Sequence, residues 1–325
     1  MHTAPLVVIV GPTAVGKSTL AIELCKRFQG EIVSADSRQV YRGLDIGTAK
    51  PTPQERSRVP HHLLDIVAPD ERLSLAQYQE LAYQAIADIH SRGKLPFLVG
   101  GTGQYVQAVV EGWSIPRVPP QPDLRRRMRQ EAQEQGHQAL HARLAKVDPA
   151  AAARIDPRNV RRVIRALEVY EATGQPISEL QKKRPLPYRF LQLGLTMERQ
   201  ALYERADRRI ERMIERGLLD EVRRLLAQGY GPRLSAMSGI GYAELVEYLA
   251  EEISLEEAIR RMKANTRRLI RHQYNWFRLD DPQIHWIEQG PQAVERAAAI
   301  LQGWLGGGRT KMTIDKSAPK VYNCL

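Results

Sequence analysis

The residues with the clearest chemistry stand near the start of the chain, in the stretch GPTAVGKS at positions 11–18. Gly11, Gly16, Lys17 and Ser18 match the glycine-rich phosphate-loop pattern in full. The glycines let backbone N–H groups turn towards phosphate oxygens, and the N-terminus of the following helix adds a favourable dipole. The lysine is a point charge between two phosphates, and the serine hydroxyl is placed to bind Mg²⁺. The pattern therefore predicts a site for a chain of phosphates, and both a triphosphate and a diphosphate remain open.

Short buried strands and amphipathic helices alternate around this loop. The run LVVIV before it is continuous and β-branched, which is typical of a strand buried in a parallel sheet. The alternation predicts an α/β fold, with a parallel sheet flanked by helices as in phosphate-loop nucleotide hydrolases. The predicted elements are strands at residues 6–10, 31–36 and 95–103 and helices at residues 18–28 and 74–94.

Three residues stand at the ends of these predicted strands. Gly11 follows the first strand, Asp36 ends the second, and Gly101 lies in the glycine turn of the third. Ligands of parallel α/β sheets bind at the carboxyl ends of strands. We therefore expect the three residues to converge on one cleft, with Asp36 as its general base. A helix N-cap, or an indirect contact with the metal, is the alternative role for Asp36.

Most of the excess positive charge lies in one part of the chain. The 325 residues have a net charge of +11, yet residues 1–116 contain equal numbers of acidic and basic residues. Residues 117–190 contain 16 Lys and Arg against 8 Asp and Glu, a net of +8. This block is either a solvated helical surface or a docking surface for a polyanion, where the release of counterions supplies affinity.

Proline-rich joints at residues 114–123 and 185–188 enclose this basic block. Between the joints, residues 123–148 and 156–174 have helical patterns, and the chain after residue 198 is nearly all helical in pattern. The last twenty residues have no apolar periodicity. The predicted domains are a phosphate-loop core at residues 1–116 and 191–305, an all-helical insertion at residues 117–190 and a disordered tail at residues 306–325.

Composition excludes several other classes of protein. With 43% hydrophobic and 26% charged residues, the chain is typical of a soluble globular protein, and no apolar run approaches the roughly 20 residues that cross a bilayer. Cys25 and Cys324 form neither a disulfide framework nor a paired metal site, and His61 and His62 lack partner ligands at metal-binding spacing. The first residues enter an apolar strand without a basic leader. We expect a cytoplasmic protein with no membrane segment.

The phosphate loop alone also suits a kinase or a nucleotide hydrolase. The chain has no apolar strand that ends in Asp-Glu, as an ATPase would, and no Asn-Lys-x-Asp motif for guanine. A small-molecule kinase stays open, with Asp36 as its base and arginines as its lid.

Longer motifs follow one another in order from about residue 6 to residue 280. They are GPTAVGKS, SADSRQVYRGLDIGTAKP (34–51), PHHLLDI (60–66), LVGGTGQYV (98–106), RALEVYEATGQPIS (165–178), the arginine-rich helix at 205–213, GIGYAEL (239–245) and TRRLIRHQYNWFR (266–278). This set resembles the motifs of tRNA dimethylallyltransferases, a family also called tRNA isopentenyltransferases. The C-terminal zinc finger of eukaryotic members is absent, so the resemblance is to the bacterial type.

The resemblance implies that the loop holds the diphosphate of dimethylallyl diphosphate and that no nucleoside triphosphate is consumed. The prenyl group passes to the exocyclic amine of the adenosine just 3′ of the anticodon, in tRNAs that read codons beginning with U, and diphosphate leaves. Mg²⁺ is the implied cofactor, and we expect a monomer. The alternative is an adenylate prenyltransferase, which uses the same donor and a free nucleotide. The +8 block favours tRNA, because a free nucleotide does not need it.

The resemblance also implies the residues of the reaction. Lys17 and Arg209 stabilise charge on the leaving diphosphate, Asp36 accepts the proton of the amine, and Thr102 sits against the target base or its phosphate. The alternatives are a surface ion pair for Arg209 and a structural turn position for Thr102. The implied diphosphate ligands are Gly11, Pro12, Thr13, Ala14, Val15, Gly16, Lys17 and Ser18, the last also binding Mg²⁺.

The target adenosine must leave its stack to reach such a cleft.

One position departs from the family pattern, which has Gln where this chain has Arg161. An arginine only donates hydrogen bonds, so a phosphate contact is the alternative there. Residues 125–129 contact phosphate or are solvated, and Trp276 and Phe277 stack on a base or pack in the core. The implied tRNA contacts are Asp36, Ser37, Arg38, Gln39, Thr102, Asp123, Arg161, Arg162, Val163, Arg165, Gly241 and Tyr242.

Overall fold

The computed structural model describes residues 4–184, 186 and 188–307, which form one parallel sheet with helices around it. The strands are β1 (Ala4–Val10), β2 (Gly30–Ser34), β3 (His61–His62), β4 (Leu95–Val99), β5 (Tyr188–Thr196) and β6 (Ile284–Glu288). Their order across the sheet is β3-β2-β4-β1-β5-β6, and all neighbouring pairs are parallel. The predicted fold class, a parallel α/β sheet flanked by helices, is confirmed.

Helices fill the long connections that parallel strands require. In the described part of the chain, no helix combines the length and the apolar composition needed to cross a membrane. The helices are α1 (Lys17–Phe28), α2 (Pro53–Arg58), α3 (Leu75–Ser91), α4 (Gly103–Val110), α5 (Pro122–Glu134), α6 (His137–Val147), α7 (Pro149–Ala152), α8 (Val160–Thr173), α9 (Ile177–Leu180), α10 (Arg199–Glu215), α11 (Leu218–Ala227), α12 (Tyr242–Leu249), α13 (Leu255–Trp276) and α14 (Ala293–Leu305).

Strand β1 explains the continuous apolar run before the phosphate loop. Leu6, Val8 and Val10 belong to the core on one face of the sheet, and Val7 and Ile9 belong to the core on the other face. All five side chains are fully buried. A strand covered on both faces has no solvent-facing position, so apolar residues occupy consecutive positions.

The two-residue strand β3 is not among the predicted elements, and two further strands also differ from the sequence prediction. The helical pattern after residue 198 predicts no strand, yet β6 lies there and pairs with β5. Strand β5 begins inside the predicted joint at residues 185–188. Pairing between distant parts of the chain determines both strands, and periodicity in a short window does not report such pairing. The predicted tail at residues 306–325 lies, from residue 308 onward, outside the described residues.

Helices α5 to α9 pack around an apolar cluster of their own, separate from the two clusters that cover the sheet. Leu140, Leu144 and Val163 are fully buried members of this cluster. The predicted helical segment at residues 123–148 is divided at Gly136, where a φ of 86° ends one helix before the next begins.

A buried carboxylate fastens these helices to the chain that leads into them. Glu168 on α8 is fully buried and accepts hydrogen bonds from Arg125 and Arg165 at 2.7 Å and from the Gln121 N–H at 2.8 Å. Burial opposes the ionisation of Glu168, but these donors outweigh it and hold its pKa below the ordinary value. Arg165 also donates to the Val118 carbonyl oxygen at 3.0 Å, so its guanidinium is used within the protein.

A second buried carboxylate, Glu221 on α11, holds part of the segment between β2 and α2. It accepts hydrogen bonds from the N–H groups of Asp45, Ile46 and Gly47, and from the Tyr242 hydroxyl at 2.6 Å. Tyr242 is 1% exposed. The family resemblance implies that Tyr242 contacts tRNA, whereas the structure places its ring in the core and its hydroxyl on Glu221.

We expect Tyr242→Phe to lower the free energy of unfolding by about 2 kcal/mol, because a hydrogen bond to a charged group is lost while the ring still packs. Urea denaturation measures this. The control is Tyr248→Phe on the same helix, since the Tyr248 hydroxyl has no hydrogen-bond partner among the described residues. That variant should change the free energy by less than about 0.5 kcal/mol. Equal losses in the two variants would contradict the role of the Glu221 contact.

Candidate active site

Three loops meet at one edge of the sheet, where β1, β4 and β2 end side by side. Residues 11–16 connect β1 to α1, Asp36 lies just beyond β2, and residues 100–102 connect β4 to α4. The Thr102 N–H donates to the Ala35 carbonyl oxygen at 3.2 Å and so joins the second and third loops. Parallel strands end at a common edge, which brings together residues that are far apart in the sequence.

Lys17 begins α1 and turns back on its own loop. Its Nζ donates to the Pro12 carbonyl oxygen at 2.8 Å. Burial lowers the pKa of Lys17 from 10.5 to about 8; Asp36 opposes this shift and Arg209 adds to it. A phosphate at this position would stabilise the charged form, because it would replace part of the solvation that the ammonium group has lost.

Two arginines of α10 lie over the same loop. Arg209 donates to the Thr13 hydroxyl at 3.4 Å, and burial lowers its pKa, with Asp36 opposing the shift. Arg205, four residues earlier on the same helical face, lies beside Gly16; a Cβ at that glycine would be 3.4 Å from its guanidinium. Neither arginine forms an ion pair with a carboxylate in the described part of the chain, so the surface ion pair considered for Arg209 does not form.

Asp36 uses one carboxylate oxygen to hold its own loop. Oδ1 accepts hydrogen bonds from the N–H groups of Arg38 at 2.8 Å and Gln39 at 3.4 Å. Oδ2 accepts none from the residues that the structure describes. Asp36 also raises the pKa of both Lys17 and Arg209, so its charge acts on both cations. In the described part of the chain no helix begins directly after Asp36, so the bonds of Oδ1 stabilise a turn rather than cap a helix. Holding this turn is compatible with a role as base, because each needs one oxygen.

Thr102 connects the turn after β4 to the Asp36 loop. Its hydroxyl accepts a hydrogen bond from the Ser37 N–H at 3.1 Å and lies 3.4 Å from the Ser37 hydroxyl. Although Thr102 is the N-cap of α4, its side chain makes no hydrogen bond to that helix. Its hydroxyl therefore holds the backbone next to Asp36.

The Ser18 hydroxyl is available to bind a metal ion. Its side chain is exposed in the first turn of α1, and its hydroxyl makes no hydrogen bond within the described residues. In the same part of the chain, no group of three or more His, Cys, Asp or Glu could hold a metal ion. Because Mg²⁺ usually combines one or two protein oxygens with phosphate oxygens and water, these residues suit an ion held mainly by a bound diphosphate.

The predicted tRNA contacts in the helical block differ in their surroundings. Arg161 and Arg162, in the first turn of α8, are exposed, and their guanidinium groups have no partner in the described part of the chain. Asp123 is exposed and pairs with Arg126. Val163 is fully buried, so its side chain is not at the surface.

Other predicted tRNA contacts have side chains that are engaged within the protein. The Arg38 guanidinium donates to the Ser235 carbonyl oxygen, and the Gln39 amide donates to the carbonyl oxygens of Thr48 and Ala49. Gly241 is buried at the start of α12. The Arg38 and Gln39 side chains therefore hold neighbouring parts of the chain together.

Two expectations that were left open are resolved by packing. Phe277 is 1% exposed and packs in the core, whereas Trp276 lies against Gly103 and packs against the core while partly exposed. In the basic run at residues 125–129, Arg125 is bound to Glu168, whereas Arg127 and Arg129 are exposed.

Sequence reasoning missed two side chains that meet the phosphate loop, Arg205 and Gln273. The spacing of Arg205 from Arg209 was a usable signal, because residues four apart share a helical face. Gln273 on α13 accepts a hydrogen bond from the Thr13 N–H at 2.7 Å across 260 residues of sequence. No local pattern in the chain indicates that contact.

Comparison with known proteins gives matches along most of the chain. The IPP transferase family matches residues 39–280, and the isopentenyl transferase family matches residues 4–69. The chain is 57% identical over 301 residues to the tRNA dimethylallyltransferase of Roseiflexus sp. (strain RS-1), covering 93% of this chain and 99% of that protein. It is 53% identical over 284 residues to the tRNA dimethylallyltransferase of Dehalococcoides mccartyi (strain ATCC BAA-2266 / KCTC 15142 / 195), covering 87% of each.

Solved structures give similar matches. The full-length tRNA isopentenylpyrophosphate transferase of Bacillus halodurans is 43% identical, with a TM-score of 0.70 and coverage of 94% of this chain and 97% of that one. A eukaryotic dimethylallyltransferase acting on tRNA is 30% identical, with a TM-score of 0.80 and coverage of 95% of this chain and 81% of that one.

The lowered pKa of Lys17 predicts how the affinity for inorganic diphosphate depends on pH. The ammonium charge is present below about pH 8 and is lost above it. Between pH 7 and 9.5 we expect affinity to fall about tenfold, as one charge-assisted hydrogen bond is lost. Isothermal titration calorimetry measures the affinity, together with the proton taken up on binding. The control is Lys17→Arg, which stays charged; a fall of the same size in that variant would contradict the assignment.

Proposed function

Because the chain belongs to the IPP transferase family, we propose that it is a tRNA dimethylallyltransferase. It transfers a dimethylallyl group from dimethylallyl diphosphate to the exocyclic amine of the adenosine 3′ of the anticodon, in tRNAs that read codons beginning with U. The names of its relatives support this proposal. The observation that carries it is a phosphate loop in which Lys17 and Arg209 have no carboxylate ion pair among the described residues, beside a carboxylate, Asp36, with one oxygen free.

The phosphate loop serves the departure of the leaving group. The amine nitrogen forms a bond to C1 of the dimethylallyl group, while the bond between C1 and the diphosphate oxygen breaks and its electron pair leaves with diphosphate. An adenine amine is a poor nucleophile, so the reaction depends on stabilising that leaving charge. Lys17, Arg209 and the N–H groups of residues 14–18 bind the oxygens that gain it. Arg205 adds positive charge beside Gly16.

Asp36 accepts the proton that the amine loses. Its Oδ1 is held by the Arg38 N–H, which orients the carboxylate and leaves Oδ2 available for the proton. Thr102 lies against the target base or its phosphate and keeps Ser37 in place. One loop thus binds the leaving diphosphate, and the neighbouring loop holds the base that accepts the proton of the amine.

Mg²⁺ is the cofactor in this proposal, and Ser18 is its protein ligand. The free hydroxyl at the start of α1 supports this assignment. The ion, when bound, neutralises charge on the diphosphate. Lys17 and Arg209 remain the protein's own contribution to the same task.

The helical block at residues 117–190 is the part that contacts the anticodon stem-loop, and residues 1–116 and 191–305 form the catalytic core. The net charge of +8 and the free guanidinium groups of Arg161 and Arg162 support this division. Arg161 is exposed in the first turn of α8, and its guanidinium, unpaired among the described residues, suits a bidentate contact with a phosphate. Moving the adenosine out of its stack costs roughly a few kcal/mol of stacking energy. Contacts between the helical block and the anticodon stem-loop offset this cost. The enzyme acts as a monomer in the cytoplasm.

Transfer of label from radiolabelled dimethylallyl diphosphate tests the function. We expect label on the adenosine 3′ of the anticodon in tRNA, no label on AMP, and no turnover of ATP. Label on AMP alone would indicate an adenylate prenyltransferase, and ATP turnover without a prenyl donor would indicate a kinase. Either result would contradict the proposal.

The Asp36→Asn variant tests the base in the same assay. The side chain can still accept the Arg38 N–H, but it no longer takes a proton, so we expect kcat to fall about 10²–10⁴-fold. Affinity for tRNA, measured by filter binding, should stay within about threefold of wild type, because the loop keeps this turn. Retained turnover would remove Asp36 as the base.

The salt dependence of tRNA binding tests the basic block. Replacing Arg161 and Arg162 with Ala should weaken binding and reduce the slope of log affinity against log salt by about 1.5, as two phosphate contacts are lost. The control is Arg296→Ala on α14, an exposed arginine with no ion pair in the described part of the chain. An unchanged slope in the double variant would mean that these arginines do not meet the nucleic acid.

A further inference from the structure

Gln273 links the phosphate loop to the turn after β4. The residue lies on α13 and is 7% exposed. Its Oε1 accepts a hydrogen bond from the Thr13 N–H at 2.7 Å, and its Nε2 donates to the Gly101 carbonyl oxygen at 2.9 Å. Both ends of one planar amide are therefore used, one on each loop.

The turn after β4 is shaped to receive α13. A Cβ at Gly101 would overlap the Gln273 amide nitrogen, and a Cβ at Gly103 would overlap the ring of Trp276. At Gly103 the indole ring leaves no room for a side chain, and at Gly101 a side chain would push the Gln273 amide out of its hydrogen bonds. The glycines of GGTG therefore have a role in packing as well as in turning the chain.

Both hydrogen-bond partners of Gln273 are connected to residues proposed for the reaction. On one side, Thr13 belongs to the diphosphate loop, and its hydroxyl accepts the hydrogen bond of Arg209. On the other side, Gly101 precedes Thr102, whose hydroxyl holds the Ser37 N–H beside Asp36. One amide thus stands between the leaving-group side and the acceptor side of the cleft.

We propose that Gln273 is a positioning residue, which sets the leaving-group loop relative to the acceptor loop by holding the Thr13 N–H and the Gly101 carbonyl oxygen at once. This inference rests on the proposed function. Gln273 acts through Thr13 and Gly101 rather than on the substrates. Its bond also occupies the Thr13 N–H, which is then withdrawn from the groups that bind the diphosphate.

Glutamine suits this position because it offers an acceptor and a donor on one rigid plane. Methionine has a similar length but neither group. An ionised glutamate keeps the acceptor for Thr13 but places a second acceptor against the Gly101 carbonyl oxygen. A protonated glutamate restores the donor, so the pH decides whether a glutamate can replace the amide at position 273.

The first test compares two buried glutamines. In Gln273→Met we expect kcat for transfer to tRNA to fall about 100-fold, since small misplacements of reacting groups cost that much. The KM for tRNA should stay within about threefold, because no tRNA-binding group is changed. The control is Gln79→Met: Gln79 is 9% exposed, and its amide donates to the carbonyl oxygens of Ala108 at 2.6 Å and Trp113 at 2.8 Å, away from the cleft. It should lose thermal stability and keep its kcat.

The second test uses Gln273→Glu and the pH. The ratio of its kcat to that of wild type should rise about tenfold between pH 8 and pH 6, as the buried carboxyl gains the proton that it donates to Gly101. The same ratio for Gln273→Met should not change with pH. A purely structural role would give neither the pH rescue nor a kcat loss beyond that of Gln79→Met.

The outcomes separate this inference from the proposed function. Wild-type kcat in Gln273→Met, or an equal loss of kcat in Gln79→Met at matched stability, would overturn the positioning role while wild-type transfer stands. Absence of transfer to tRNA by the wild-type protein would instead refute the proposed function and this inference with it.

Discussion

Three cationic side chains lie together at the carboxyl edge of the sheet, and one carboxylate nearby does not balance their charge. The rest of the structure holds these cations in place. Lys17 comes from the phosphate loop, and Arg205 and Arg209 come from one face of α10. Asp36 is the acidic residue whose charge raises the pKa of both Lys17 and Arg209, yet burial still lowers both pKa values. Burying cations in this way costs free energy that a bound anion recovers. The arrangement makes sense as a preformed receptor for a diphosphate, held ready at some cost to the stability of the free protein.

The remaining elements keep this charge close to the acceptor loop. Strand β4 separates β1 from β2, so the phosphate loop and Asp36 would lie two strands apart if the strands alone positioned them. The connection is made by the turn after β4, through Thr102 on one side and Gln273 on the other. Helices α10 and α13, both from the second half of the chain, close the cleft. A reaction that joins two substrates requires a fixed arrangement of this kind. Each substrate is bound by its own loop, and the distance between the two loops sets the distance between the reacting atoms.

The sequence predicts those features that have local causes. The phosphate loop lies between a buried strand and a helix, and the α/β class, the strand ends and the basic block follow from periodicity and charge. Features that depend on distant contacts were missed or placed elsewhere. Strand β6 and Gln273 belong to this group, since each is determined by partners far along the chain. Tyr242 shows a further limit: a motif indicates that a position matters, but only its burial and its bond to Glu221 reveal that the side chain supports a loop from inside the core.

The most direct test of the preformed receptor is a crystal structure of the protein grown with both ATP and an unreactive dimethylallyl thiodiphosphate. The account predicts that the diphosphate of the analogue contacts the N–H groups of residues 14–18, Lys17 and Arg209, with its allylic carbon towards Asp36. An intact ATP bound in this loop, with the prenyl analogue excluded from it, would contradict the account.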